Sequence, residues 1–307
     1  MTRIAYLGPE GTFTETALLQ MAQRGMIPRN AAIQPLAADG AAVALQQVRD
    51  RAADYACVPI ENSIDGSIVP TLDSLGSGPP LRLFAEVRLD VAFSIAVRAG
   101  TSEADVQTVA AFPVAAAQVR RWLREHLPAA GVVPANSNAS AAIDVRDGKA
   151  DAAVTTPLAA QRYGLVELAA GVVDERNAAT RFVLAGLPAR PPARTGADRT
   201  SVVLRLENRP GALVEALTEF GVRDIDLTRI ESRPTRTELG TYVFFLDCVG
   251  HIDDTAVAEA LKALHRRCAD VRFLGSWPTG SLTGAVPPEM DEADHWLEAL
   301  RTGQAGQ

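Results

Sequence analysis

Residues 177–186 read NAATRFVLAG: a polar entry, then Thr180, Arg181 and Phe182, then an apolar run with the character of a strand. A threonine at the mouth of a buried strand can donate or accept a hydrogen bond, but nothing beside it in sequence would activate it as a nucleophile. Four other polar stretches stand at strand ends, where an open α/β lobe collects its ligands. GPEGTFTET (8–16) follows a strand and opens a helix, and its glycines with Thr12, Phe13 and Thr14 resemble an anion-binding turn, where free backbone N–H groups meet the helix dipole. VPIENSIDGS (58–67) ends a strand on Glu61, Asn62 and Ser63, while NSNAS (136–140), with Ser137 and Asn138, and TTP, with Thr155 and Thr156, each open a helix. Each stretch also reads as ordinary capping and turn chemistry. Glu61 is the most pointed, because a carboxylate ending an apolar strand needs a partner or a purpose.

Other chemistries lack their residues. The four histidines, His126, His251, His265 and His295, form no pair with metal-ligand spacing. Cys57, Cys248 and Cys268 lie scattered in apolar segments, as buried reduced thiols do, and Cys57 inside a strand reads as inert. Lys149 and Lys262 are the only lysines, both in sequence that reads as exposed, which argues against a Schiff-base enzyme. The turn GPEG is not followed by a P-loop Lys-Ser/Thr. A net charge of -7 with no basic block gives no footprint for nucleic acid. The N-terminus runs straight into a strand without a signal peptide's pattern, and no window is apolar for long enough to span a bilayer. The expectation is a cytoplasmic protein with no cofactor, no metal, no nucleic acid and no membrane partner.

The elements that must position these residues fall into two blocks within 307 residues. Strand and helix signals alternate up to Leu187, which predicts an α/β domain over 1–187 with mostly parallel strands. The long apolar segment 84–98 suits a crossover between two lobes, with a ligand cleft between them. Residues 188–199, rich in proline, arginine and glycine, read as a linker. Residues 200–278 give the order βαββαβ of the ferredoxin-like unit, and 279–307 a tail with a short helix around DEADHWLEAL. Composition and spacing end there, at a two-lobed binder of a small anionic molecule joined to a regulatory module.

Taken together, the motifs resemble the prephenate dehydratase family over nearly all of residues 3–278. The resemblance rests on Gly8-Pro9-Glu10-Gly11-Thr12-Phe13-Thr14, on Val58 to Ser63 followed by Gly66-Ser67, and on Asp174 six residues before Thr180-Arg181-Phe182. The second block is similar to an ACT domain through Glu207-Asn208-Arg209-Pro210-Gly211-Ala212-Leu213 and Leu227 to Pro234. The chain departs from the family's pattern at Phe112-Pro113, where His-Pro is common, at Gln118-Val119 in place of Gln-Cys, and at Ser137-Asn138 in place of Ser-Thr. The implied fold is a two-lobed domain of the periplasmic-binding-protein type followed by a βαββαβ ACT domain.

The resemblance implies conversion of prephenate to phenylpyruvate with loss of carbon dioxide and water. Aromatisation drives that step, so it needs a proton or hydrogen bond for the leaving hydroxyl and a site for two carboxylates. Thr180 is then the donor or relay, Glu61 a proton source if burial raises its pKa, and Asn62 a further catalytic residue. Thr12 to Thr14, Ser63, Gln118, Ser137, Asn138, Thr155, Thr156, Arg181 and Phe182 are implied as substrate contacts. Strand alternation places Arg181 opposite Thr180, so it either twists into the cleft or braces a carboxylate. The resemblance also implies phenylalanine as an effector held near Asn208, Pro210 to Leu213 and Glu231, Ser232, Arg233 and Pro234, in a homodimer or homotetramer formed through the second block. Arogenate as substrate, and a non-catalytic binding protein, remain alternatives.

Overall fold

In the computed structural model the described residues are 1–28, 32–175, 178–236, 240–279, 284, 286–287 and 291–303. They form two units, residues Met1–Leu72 with Val87–Gly186, and Asp73–Glu86 with Leu187–Gln307.

Up to Gly186 the chain forms β1 (Thr2–Leu7), α1 (Phe13–Gln23), β2 (Ile33–Ala38), α2 (Ala41–Arg49), β3 (Tyr55–Asn62), β4 (Gly66–Ser67), α3 (Val69–Gly76), β5 (Arg82–Asp90), β6 (Phe93–Val97), β7 (Thr108–Ala111), α4 (Pro113–Gln118), α5 (Arg120–His126), β8 (Gly131–Pro134), α6 (Asn138–Arg146), β9 (Ala152–Thr155), α7 (Pro157–Arg162), β10 (Val166–Val172) and β11 (Ala179–Gly186). Two sheets result, in the orders β2-β1-β3-β11-β5, with β4 on β3, and β10-β6-β9-β7-β8. They are two lobes: the chain leaves the first sheet at Asp90, enters the second at Phe93 and returns at Ala179, as the length and hydropathy of 84–98 predict.

The expectation of mostly parallel strands holds only in the heart of each lobe. β1 lies parallel to β2 and β3, and β7 parallel to β8 and β9. β11 runs antiparallel to β3, and β6 antiparallel to β9 and β10. The reason is topological: strands that carry the chain between lobes enter each sheet from the far end. The central strands are apolar on both faces, as parallel strands covered by helices must be; Ala56 to Val58 of β3 and Val183 to Ala185 of β11 are fully buried.

Helix starts follow their caps. Thr12 and Thr156 accept hydrogen bonds from Glu15 N and Ala159 N, and Pro157 opens α7. Ser137 and Ser140 cap α6 reciprocally, at 2.9 and 2.8 Å. Asp174, six residues before Thr180, does local work: its carboxylate accepts from Arg121 N at 2.7 Å and Trp122 N at 3.4 Å, capping α5.

The second unit contains β12 (Asp198–Arg205), α8 (Ala212–Gly221), β13 (Leu227–Pro234), β14 (Tyr242–Val249), α9 (Thr255–Arg267), β15 (Asp270–Pro278) and α10 (Asp291–Arg301). Its sheet runs β13-β14-β12-β15, antiparallel throughout, which is the split βαββαβ arrangement expected. α8 and α9 cover one face over Val202, Leu204, Leu246 and Cys248. The segment before β12 is tied down, Arg194 to Asp254 at 2.6 Å and Pro192 O to His251 Nε2 at 3.0 Å.

Residues of the opposite sheet face meet the inserted segment Asp73–Glu86. Gly275 has φ +144, and a Cβ there would stand 2.4 Å from Leu83 O, so only glycine allows the backbones to come so close. Asp73 pairs with Arg233 at 3.0 Å and with Arg236. Beneath lies a buried ionic cluster. Arg229 binds Asp247 through two bonds of 2.9 Å, Arg199 lies 3.1 Å from Glu86, and Trp277 donates to Glu86 at 2.9 Å. All four charged groups are under a tenth exposed. Removing one partner strands the others without water, which costs about 3–5 kcal/mol. Asp247→Ala is therefore expected to lower the denaturant midpoint of the second unit steeply, as followed by the fluorescence of buried Trp277. An unchanged midpoint would show that the cluster is dispensable.

Candidate active site

Between the two lobes of the first unit lies a cavity of about 640 Å³. Its wall combines the ends of β1 and β2 (Leu7, Gly8, Pro9 and Ala37 to Asp39) with the starts of α1 (Thr12, Phe13, Thr14) and α6 (Asn136, Ser137, Asn138, Ser140). Pro59, Phe112, Thr180 and Phe182 complete it. No lysine or arginine lines it, and Asp39 is the one charged side chain among the described residues on the wall. Positive potential comes instead from the N-termini of α1 and α6, helices of 11 and 9 residues, whose first amides have no intrahelical acceptor.

Thr180 is held in a defined state. Asn62 Oδ1 accepts from Ile64 N at 2.8 Å and from Asp65 N at 3.0 Å, which fixes the orientation of its amide. Asn62 Nδ2 then donates to Thr180 Oγ1 at 3.0 Å. With Oγ1 acting as acceptor there, its own O–H remains for an acceptor in the cavity. The pairing register Thr180↔Asn62 and Arg181↔Glu61 sets this up, and a bulge follows, with Phe182 opposite Pro59. The bulge places Pro59, Thr180 and Phe182 on one wall.

Several residues expected as ligand contacts lie elsewhere. Glu61 is not on the wall: it sits one residue from Asn62 on the opposite side of β3 and pairs with Arg181 at 3.2 Å. A carboxylate in an ion pair off the cavity is not placed to be a proton source. Arg181 braces that carboxylate and does not twist into the cleft. Ser63 joins β3 to β11, its hydroxyl accepting from Ala179 N at 2.9 Å. Gln118 is buried at the end of α4, away from the wall. Thr155 and Thr156 are wholly buried and bond the protein itself, Thr155 Oγ1 donating to Asn138 O at 2.6 Å and Thr156 Oγ1 to Gly11 O.

Sequence reasoning missed Ser140, Asn136 and the Ala37–Asp39 wall. Ser140 carried a signal, as the third residue after Ser137 in a reciprocal cap. Ala37 and Ala38 end an edge strand interrupted by Pro35, whose pattern is too weak to read. Phe112, noted as a departure, lies on the wall.

The sequence profile described as prephenate dehydratase matches residues 4–189, and that of the ACT domain matches 200–266. The chain belongs to the prephenate dehydratase family. Relatives in that family include the prephenate dehydratase of Mycobacterium sp. (strain JLS), 69% identical over 307 residues, covering 99% of this chain and 97% of the relative. That of Mycobacterium tuberculosis (strain H37Rv) is 68% identical over 309 residues, covering 100% and 96%. A solved prephenate dehydratase from Arthrobacter aurescens, in complex with L-Phe, is 39% identical, with a TM-score of 0.88 over 98% of this chain and all of that one. Prephenate dehydratases are hydro-lyases, and this chain is an enzyme of that class carrying an ACT domain.

Among the described residues no group of three or more His, Cys, Asp or Glu side chains is placed to hold a metal ion, and no helix is long and apolar enough to cross a membrane. The three cysteines are unpaired. Burial pushes the Cys57 thiol far up, pushes Cys248 up to about 12, and also raises partly exposed Cys268. Because the thiolate is the reactive form, dithionitrobenzoate at pH 8 is expected to label at most Cys268 in the native enzyme and all three thiols after unfolding. Rapid native labelling of Cys57 would contradict this burial.

Proposed function

We propose that the cavity converts prephenate to phenylpyruvate, carbon dioxide and water, as the first step toward phenylalanine. The observation that carries this reading is the Asn62–Thr180 hydrogen bond, which leaves the Thr180 O–H to donate in a cavity onto which the N-termini of α1 and α6 open. In the reaction the bond from the ring to its carboxylate breaks and its electron pair completes the aromatic ring. The C4–O bond breaks, and hydroxide leaves with one proton as water. Thr180 donates a hydrogen bond to that departing oxygen and stabilises the charge growing on it. An alcohol is too weak an acid to surrender its proton outright, so the proton consumed comes finally from solvent. The two carboxylates rest on the first turns of α1 and α6, where amides and dipole favour negative charge. Phe112, Phe13 and Phe182 supply an apolar wall for the ring.

The second unit acts as the sensor. A hollow of about 260 Å³ lies between the turn carrying Asn208, Arg209, Ala212 and Leu213 and the hairpin carrying Thr235, Thr241, Tyr242 and Phe244. L-Phenylalanine is the proposed ligand, supported by the Arthrobacter relative, which was solved with L-Phe. Pro210 and Gly211 shape the turn without lining the hollow. Glu231 to Pro234 lie along β13, an outer strand with Ile230 half exposed. Edge-to-edge pairing of two copies along β13 would bring those residues to a shared effector site and yield a homodimer or higher homo-oligomer. Unpaired thiols and a biosynthetic reaction fit the cytoplasm.

Prephenate turnover by the purified enzyme, followed as phenylpyruvate absorbance in alkali, tests the reaction. Thr180→Ala is expected to lower kcat by about 10²–10⁴, roughly 3–5 kcal/mol, with the circular dichroism spectrum unchanged. A variant within about threefold of wild type would remove Thr180 from the chemistry, and preferential turnover of arogenate would change the substrate. Calorimetric titration of the full chain with L-phenylalanine is expected to give saturable binding, and Asn208→Ala to weaken it. No heat of binding by the wild type would sink the sensor role.

A further inference from the structure

Short helix α7 touches both helices that open onto the cavity. At its entry Thr155 Oγ1 donates to Asn138 O, on the first residue of α6, at 2.6 Å, and the next residue, Thr156, donates to Gly11 O just before α1. Gly11 has φ +88, and a Cβ there would meet Ala159 of α7 at 2.8 Å, so the turn before α1 lies directly on the helix. Ala159 also packs with Ala139 and Ala142 of α6. At the other end of α7, Arg162 binds buried Glu15 of α1 at 2.8 and 2.9 Å, and Glu10 at 3.0 Å. Tyr163 Oη donates to Glu10 O at 3.1 Å, and the Arg146 guanidinium of α6 lies over its ring at 5.4 Å. These contacts join an α1 that belongs to one lobe to an α6 that belongs to the other.

We propose that Thr155, Thr156 and Arg162 are positioning residues, which make α7 a wedge setting the distance between the two helix N-termini that hold the substrate's carboxylates. Neither threonine faces the cavity, so each acts through the helix it holds. A dicarboxylate must satisfy both N-termini at once and is sensitive to their spacing. A monocarboxylate needs only one and is not. The wedge therefore gives the site its preference for a substrate with two carboxylates, and this inference rests on the carboxylate placement proposed above.

The test compares Thr155→Val, which keeps shape and loses the hydroxyl, with Arg162→Lys, which keeps charge and loses the paired geometry. Each is expected to raise KM for prephenate about three- to tenfold, in line with the loss of one hydrogen bond, while kcat stays within about twofold. Inhibition by phenylpyruvate, which carries one carboxylate, is expected to stay within about twofold, and Thr155→Ser to restore KM. Equal weakening of substrate and product, or a fall in thermal midpoint with KM unchanged, would overturn the wedge and leave the reaction standing. Absence of prephenate turnover by the wild type would remove both. Should Thr155→Val not fold, half-exposed Arg162 decides the matter alone.

Discussion

The register of β11 against β3 places Asn62 opposite Thr180, 118 positions later in sequence. That single pairing sets which side chains of β11 face the cavity. Side chains alternate across a sheet with a period of two, so a slip of one residue would turn Thr180 away and present Arg181 to the cavity. The cross-strand pair Glu61–Arg181 resists the slip from the opposite face, and the bulge that follows locks Phe182 against Pro59. An ion pair off the cavity wall thus keeps the Thr180 hydroxyl in register. The pairing itself exists because the chain leaves for the second lobe and returns, closing the first sheet with its own later part.

In the proposed reaction the cavity would hold an anion with no cationic side chain among the described residues of its wall. A charged side chain on the wall would attract a dianion from afar, but it would also stabilise the ring carboxylate, whose departure the reaction requires. Helix N-termini are gentler, each worth of order 0.3–1 kcal/mol at exposed sites and up to about 2 when partly buried. They orient a carboxylate through fixed amides and are already built, so nothing reorganises as charge moves from carboxylate to leaving oxygen.

What the sequence disclosed and what it hid divide along physical lines. Thr12 to Thr14, Ser137, Asn138 and Thr180 were legible because each stands where an apolar strand ends or a helix begins, and cap chemistry marks such places. Glu61 was expected as a proton source and Arg181 was left between the cleft and a carboxylate brace, because sequence shows that a strand alternates but not which phase faces the cleft; the structure pairs the two. Thr155 and Thr156 look like ligand groups from their types, and only the fold reveals that backbone carbonyls already occupy them. The strands β2, β8 and β10 escaped notice, and all three are sheet edges. Edge strands bury less, so their apolar pattern is faint; all of β8 is exposed. The βαββαβ unit was plain because each of its strands is a long run bounded by turns.

Residues 73–86 interrupt the first unit in sequence yet belong to the second in space, where Glu86, Asp73 and Leu83 meet β12, β13 and β15. The boundary between the two compact units is therefore not a single point in the sequence. A recombination event at the proline-rich segment would deliver an ACT domain whose sheet no longer matches the fourteen-residue patch already written into the upstream coding sequence. An exchanged ACT domain would keep these contacts only if it arrived with its own version of that patch.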